Sequence, residues 1–216
     1  MQTSTPSPLL GRIAFIAACA GTVLGPLHAL ARFATHDGAG DLKSPFVHWW
    51  AVPAGHTFGW LVRWGSADTV YLTYGKLLAP IAIAATVFAF AVRRSRTPVG
   101  LERWGWPIAL TGYVLASAAV LGEYWTPWLD QTFMFLALPG ILVSLIGSTI
   151  LGIALLRRGF RPRAAGWLLA TWIVSLIVLN SVVAMSAALI PMLWAWGVAG
   201  RAASRRAVPS EPVPVA

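Results

Sequence analysis

Charged residues and cysteine are both scarce in this sequence. Of its 216 residues, 11% are charged and 57% are hydrophobic. Soluble domains carry roughly a quarter charged residues, so a soluble fold of this length could not bury so much apolar surface. The single cysteine, Cys19, excludes a disulfide framework and a thiolate metal cluster. The composition predicts an all-α, multi-pass membrane helical bundle.

Several catalytic signatures are also missing. The chain has no Gly-rich phosphate loop, zinc-protease helix or nucleophile elbow. A haem held between helices needs histidines on facing spans, and all the histidines fall in the first 56 residues. We therefore expect no cofactor and assign no catalytic residue.

Long uncharged segments are what the sequence has instead. A helix needs about 20 residues to cross about 30 Å of hydrocarbon. Five segments predict a single transmembrane domain over residues 1–200, followed by a basic, Pro-rich, disordered tail over 201–216. The predicted spans are about 13–31, 69–92, 104–122, 132–156 and 165–190.

The last uncharged stretch allows two interpretations. The spacing of Trp167 and Trp194 fits the two interfacial belts of one long tilted helix. Pro191 would then end this helix, leaving residues 192–200 as an interfacial cap. The alternative is a short hairpin that returns the tail to the side from which the helix started.

Arginine in short loops predicts the orientation. Two loops carry eight arginines, and such loops stay in the cytoplasm; they are Arg93, Arg94, Arg96, Arg103, Arg157, Arg158, Arg161 and Arg163. The N-terminus is therefore expected in the cytoplasm and the loop 32–68 outside a plasma membrane. Five spans would place the basic tail outside, against this rule. The start of the chain resembles a secretory signal, but its length favours retention as a span.

The loop 32–68 combines histidines with tryptophans. Its Pro, Gly and Trp content predicts one or two short helices on the outer surface, covering the helix ends. An alternative is a metal site formed by His36, His48 and His56, with nearby carboxylates as further ligands. No two of these histidines have the i, i+4 spacing that places two neighbouring imidazoles on one helical face, so we favour the first interpretation.

Polar residues inside the spans are candidates for function because they are costly there. His28, Lys76 and Glu123 fall at similar depth near the outer edge, with Tyr74 and Tyr124 within two turns of them. They predict a polar outer pocket. A simpler hypothesis is that Lys76 and Glu123 form an ion pair or extend towards water.

Small residues recur every four positions on two spans. These stripes predict close helix packing or a homodimer face; they are Ala17, Gly21 and Gly25, and Ser144, Ser148 and Gly152. Cys19, in the first span, is expected to be a small buried hydrophobic residue.

Two functional classes follow from these features. We expect a non-catalytic accessory or scaffold component that binds lipid or protein partners, as a homo-oligomer or in a larger membrane complex. The alternative is a membrane enzyme or small carrier acting on an amphiphilic substrate at the outer pocket. The net charge of +9 is typical of cytoplasmic loops, so no nucleic-acid partner is expected.

Overall fold

The protein is a bundle of helices in a computed structural model that describes residues 6–183 and 187–206. No strand occurs in these residues. Four helical segments are long and apolar enough to cross a membrane. They are α1 (Pro8–Phe33), α4 (Ala67–Arg94), α5 (Leu101–Trp125) and a segment from Leu129 to Arg157.

Shorter elements complete the bundle. The segment from Leu129 to Arg157 comprises α6 (Leu129–Thr132), a π-helical turn (Phe133–Ala137) and α7 (Leu138–Arg157). A 3₁₀ helix (Ala39–Lys43), α2 (Pro45–Thr57) and α3 (Gly59–Val62) connect α1 to α4, which confirms the short helices predicted there. The chain continues with α8 (Arg163–Ala170), α9 (Trp172–Val183) and α10 (Ile190–Arg206).

The long helices alternate in direction, which gives the bundle two distinct ends. α1, α4, α5 and α7 pack in that order, and α10 lies against α1 and α8. We call one end the basic end, because it holds Arg12, both arginine-rich loops and Arg201. The other is the histidine end, because His28, His36, His48 and His56 all lie in or beyond the last turns of α1 there.

The prediction of one helix over 165–190 is wrong. α8 and α9 meet at Thr171 with a bend of 67°, and together they reach the length of one span. The interfacial cap expected over 192–200 is also absent, because these residues belong to α10. Residues 184–186, and the part of the predicted tail beyond Arg206, lie outside the described residues.

α10 runs antiparallel to α1 and returns the chain to the basic end. Gly21 lies beside Leu193, Gly197 beside Ala18, and Gly11 beside Gly200. At the end of this interface the Ser204 hydroxyl donates to the Pro8 carbonyl at 2.8 Å. The hairpin alternative therefore describes this region. Arg201 and Arg205, the first arginines of the predicted tail, lie beside Arg12.

The predicted small-residue stripes pack inside the bundle. A Cβ added to Gly112 would collide with the backbone of Ser144, and one added to Gly152 would collide with Ala170. Ser148 is fully buried and is hydrogen bonded to the Tyr113 hydroxyl at 2.6 Å. Cys19 differs from expectation, because it lies exposed on the outer surface of α1.

A buried carboxylate joins the two loops at the basic end. Glu102 is completely buried and accepts hydrogen bonds from Arg96 at 2.6 and 3.2 Å and from Arg158 at 2.8 Å. The Trp106 indole nitrogen donates a further bond at 3.0 Å. Because Arg96 precedes α5 and Arg158 follows α7, this carboxylate fixes both loops to one point.

We predict that Gly112→Ala destabilises the bundle by about 1 to 3 kcal/mol, because the new methyl group overlaps the backbone of α7. Gly55→Ala is the matched control: this glycine is also helical, and a Cβ there meets no atom within 4 Å. The control should be neutral or slightly stabilising. Thermal unfolding in detergent measures both, and equal effects would contradict the packing described for α5 and α7.

Candidate functional site

A cavity of about 610 Å³ lies between α1, α4, α5, α7, α9 and α10. Its volume is in the range typical of sites that hold one small molecule. Exposed side chains such as Asp37, Asp130 and Asn180 form part of its lining, so the cavity opens to the surface at the histidine end. The two ends of the cavity differ in chemistry.

Charged groups line the end of the cavity at the surface. Four carboxylates, those of Asp37, Asp41, Glu123 and Asp130, contribute here, against one guanidinium from Arg32. Arg32 donates from Nε to Asp41 at 3.2 Å, so one of the four carboxylates is already paired. The remaining formal charge of this end is negative.

Three aromatic rings lie just below these charges. The His28 ring stacks on Tyr71 with centroids 4.6 Å apart, and Tyr124 meets His28 edge-on at 5.2 Å. The hydroxyls of Tyr71 and Tyr124 are 3.2 Å apart, within hydrogen-bond distance. These contacts join α1, α4 and α5 and fix the position of the three rings on the cavity wall.

The inner part of the cavity is apolar. It is lined by side chains from four helices, namely Leu78 and Ile81 of α4, Val120 of α5, Ile141 of α7 and Leu193 of α10. On α1 the lining extends inward from Arg32 to Gly21, about 16 Å along a helix that rises about 1.5 Å per residue. The cavity is therefore amphipathic along its length.

A π-helical turn contributes to the same wall. Phe133 and Ala137, at the two ends of this turn, both line the cavity. Such turns insert one residue into a helix and shift the side chains that follow it. The turn therefore determines which face of α7 lines the cavity.

Segments between α1 and α4 cover the cavity at the histidine end. Val47 of α2 lines the cavity and is almost completely buried. The Trp50 indole nitrogen donates to the Val182 carbonyl at 2.8 Å, which ties α2 to the end of α9. Gly38 allows the chain to turn here, because a side chain at this position would collide with the Arg32 carbonyl.

The structure brings together three of the five residues predicted for the outer pocket. His28, Glu123 and Tyr124 line the cavity. Tyr74 does not: its hydroxyl donates to the Leu61 carbonyl at 2.8 Å. Lys76 is exposed, with its Nζ 5.8 Å from the centre of the Trp125 ring, and it forms no salt bridge with Glu123.

The alternative metal site is not assembled. Within residues 6–183 and 187–206, no group of three or more His, Cys, Asp or Glu side chains is placed to hold a metal ion. His36 is fully exposed, and its nearest charged neighbour is Asp37 at 3.4 Å.

Sequence reasoning missed two contributions to the cavity. The lining residues Ile190 and Leu193 both belong to α10, although the sequence predicts that Ile190 ends the span 165–190 and that Leu193 lies in an interfacial cap over 192–200. Sequence reasoning uses Arg32 only as a loop boundary and Asp130 only as a loop residue and a further ligand of the alternative metal site, although each lies within a few residues of a predicted pocket element. The feature of the sequence that could have identified Arg32 and Asp130 as lining residues is their charge next to the end of a span.

Comparison with known proteins adds no relative. No known protein family, curated protein sequence or solved structure matches this chain. A helical bundle with an amphipathic cavity at one end is therefore the class that its own geometry defines.

We predict that two double-mutant cycles will differ. Tyr71→Phe and Tyr124→Phe should couple by about 1 kcal/mol, because each change removes the same hydroxyl contact. Lys76→Met and Glu123→Gln should be additive within about 0.5 kcal/mol, because these side chains do not meet. Unfolding in detergent measures both cycles, and coupling of the second pair would contradict the position of Lys76.

Proposed function

We propose that this protein is a membrane-embedded binding protein for an amphiphilic molecule, which it holds in the cavity at the histidine end. The observation that carries the proposal is the change in lining along one cavity, from charged at the surface to apolar inside. A lipid-class molecule has the same polarity gradient, so both of its parts would be matched in one site.

The apolar part would hold the hydrocarbon portion. Leu78, Ile81, Val120 and Leu193 offer no hydrogen-bonding side chain, so a polar ligand placed there would lose its hydrogen bonds to water without replacement. The length of this wall, about 16 Å on α1, suits an extended chain rather than a compact solute.

The charged part favours a cationic or amine-bearing headgroup. Glu123, Asp37 and Asp130 have no salt bridge to a lysine or arginine in the described residues, whereas Arg32 is paired with Asp41. Tyr71 and Tyr124 lie close by, and the electron-rich faces of such rings attract ammonium groups.

The proposal is one of binding, consistent with the expected accessory component that takes a lipid partner. The alternative, a carrier or enzyme, would use the same cavity. Assembly as a homo-oligomer or in a larger complex stays a prediction.

We also propose that the basic end faces the cytoplasm and the histidine end lies outside. The return of α10 supports this orientation, because Arg201 and Arg205 lie beside Arg12 at the basic end instead of at the opposite end. Every arginine-rich loop and the tail arginines then obey the same rule.

Filling the cavity should weaken binding. We predict that Val120→Trp weakens binding of dodecyltrimethylammonium at least about tenfold, because an indole would occupy the apolar part of the site. Val114→Trp is the matched control on the same helix, since Val114 points outward and is 46% exposed. Equilibrium binding of the radiolabelled probe to protein in nanodiscs, after subtraction of empty nanodiscs, gives both affinities.

Two outcomes would contradict this proposal. Equal affinity in the two tryptophan variants would show that the probe binds outside the cavity. Binding of dodecyl sulfate as tightly as dodecyltrimethylammonium would remove the argument for a cationic headgroup while leaving the amphiphile site.

The orientation predicts a labelling pattern. In a Cys19→Ala background, Gly40→Cys should react with an impermeant maleimide in intact cells, because it lies at the histidine end. Val99→Cys and Arg205→Cys should react only after permeabilisation. A reversed labelling pattern would contradict the proposed orientation. If positions 99 and 205 were labelled from opposite sides, the path of α10 would be contradicted.

A further inference from the structure

A second, smaller cavity of about 300 Å³ lies at the basic end, in the groove between α1 and α10. It is lined by Arg12, Phe15 and Ile16 on α1 and by Arg201, Ser204 and Arg205 on α10. It is at the opposite end from the amphiphile site, and nothing in the proposed function depends on it.

The three arginines of this groove lack a protein counterion. In the described ranges 6–183 and 187–206, none of Arg12, Arg201 and Arg205 forms a salt bridge. Arg96 and Arg158 at the same end share one carboxylate counterion, Glu102. Unpaired arginines therefore lie on both sides of this groove, with their charges at its rim, because almost all of the surface inside it is apolar.

The rest of the groove is apolar and held in place. The Arg201 guanidinium lies over the Phe15 ring at 4.7 Å, and Ile16 beside it is 65% exposed. Ser204 is buried, and its hydroxyl lies within hydrogen-bond distance of two carbonyls that share its one proton, Pro8 at 2.8 Å and Gly200 at 3.0 Å, so it joins the two helices instead of facing a ligand. Close contact of Gly11 with Gly200 fixes the spacing of the walls.

We propose that this groove binds a phosphate-bearing anion, and that the source is the headgroup of an anionic membrane lipid. Guanidinium groups recognise phosphate oxygens through paired hydrogen bonds. Basic pockets between helices at the membrane surface are suited to such headgroups. The apolar surfaces of Phe15 and Ile16 favour a lipid over free phosphate, because they would contact the start of an acyl chain.

The test is native mass spectrometry of the full chain titrated with phosphatidylglycerol, phosphatidylcholine or inorganic phosphate. The wild type should retain phosphatidylglycerol in preference to phosphatidylcholine. Each arginine whose guanidinium contacts the bound headgroup should change the affinity about fivefold. The triple variant Arg12→Gln, Arg201→Gln, Arg205→Gln should therefore bind phosphatidylglycerol about a hundredfold more weakly.

A second triple variant removes the same charge from the same end without touching the groove: Arg94→Gln, Arg103→Gln, Arg157→Gln. It should change the affinity less than about fivefold. The single variant Arg12→Gln, at an exposed position, gives an expected fivefold loss if the groove triple does not fold.

Three results would overturn the proposal. These are an equal loss in the two triple variants, equal retention of the two lipids by the wild type, and an Arg12→Gln affinity equal to that of the wild type. Retention of inorganic phosphate as tight as that of phosphatidylglycerol, lost in the groove triple, would assign the groove to free phosphate and overturn the lipid source. Failure of the amphiphile experiment leaves this result untouched, since the two sites share no residue.

Discussion

Close approach of helix backbones is the constraint on which the rest of this structure depends. Lipid tails are as apolar as leucine, so helices in a membrane gain little by hiding hydrophobic surface from them and must instead pack tightly. Gly112, Gly105 and Gly147 let α5 and α7 touch along their length, and Gly11 does the same for α1 and α10. Where the packing loosens, towards α9, the large cavity forms. Tight and loose packing in one bundle thus define where the cavity lies.

Much of the fold could be predicted from charge spacing, because long uncharged segments have few alternatives to a helix in hydrocarbon. The real helices exceed the predicted spans by several residues: α1 starts before Arg12, because a long side chain at a helix end can still reach water. Trp172 and Trp196 show the limit of this approach. Tryptophan is read as interfacial, yet both are completely buried, and the bend at Thr171 has no counterpart in hydropathy.

For the candidate site, the sequence predicts only how far along the helices its residues lie. Counting along helices placed His28, Glu123 and Tyr124 at one level, and all three line the cavity. Which side of a helix a residue occupies depends on its neighbours, and neighbours are not visible in a single sequence. Lys76 illustrates this, since it lies at the same level but faces Trp125. The basic groove was hidden for the same reason, because it requires α1 and α10 to be adjacent.

The pairing of α1 with α10 has a consequence for biosynthesis. α1 is the first described helix to leave the ribosome, and its main partner, α10, is the last of the described helices. Gly11 and Gly21 therefore make contacts with residues more than 170 positions later in the sequence. Contacts this distant in sequence form late and leave a surface exposed in the meantime. The central helices α4, α5 and α7 can assemble as they emerge, whereas the bundle closes only after α10 has been synthesised. Until then, neither the groove nor the inner wall of the cavity exists.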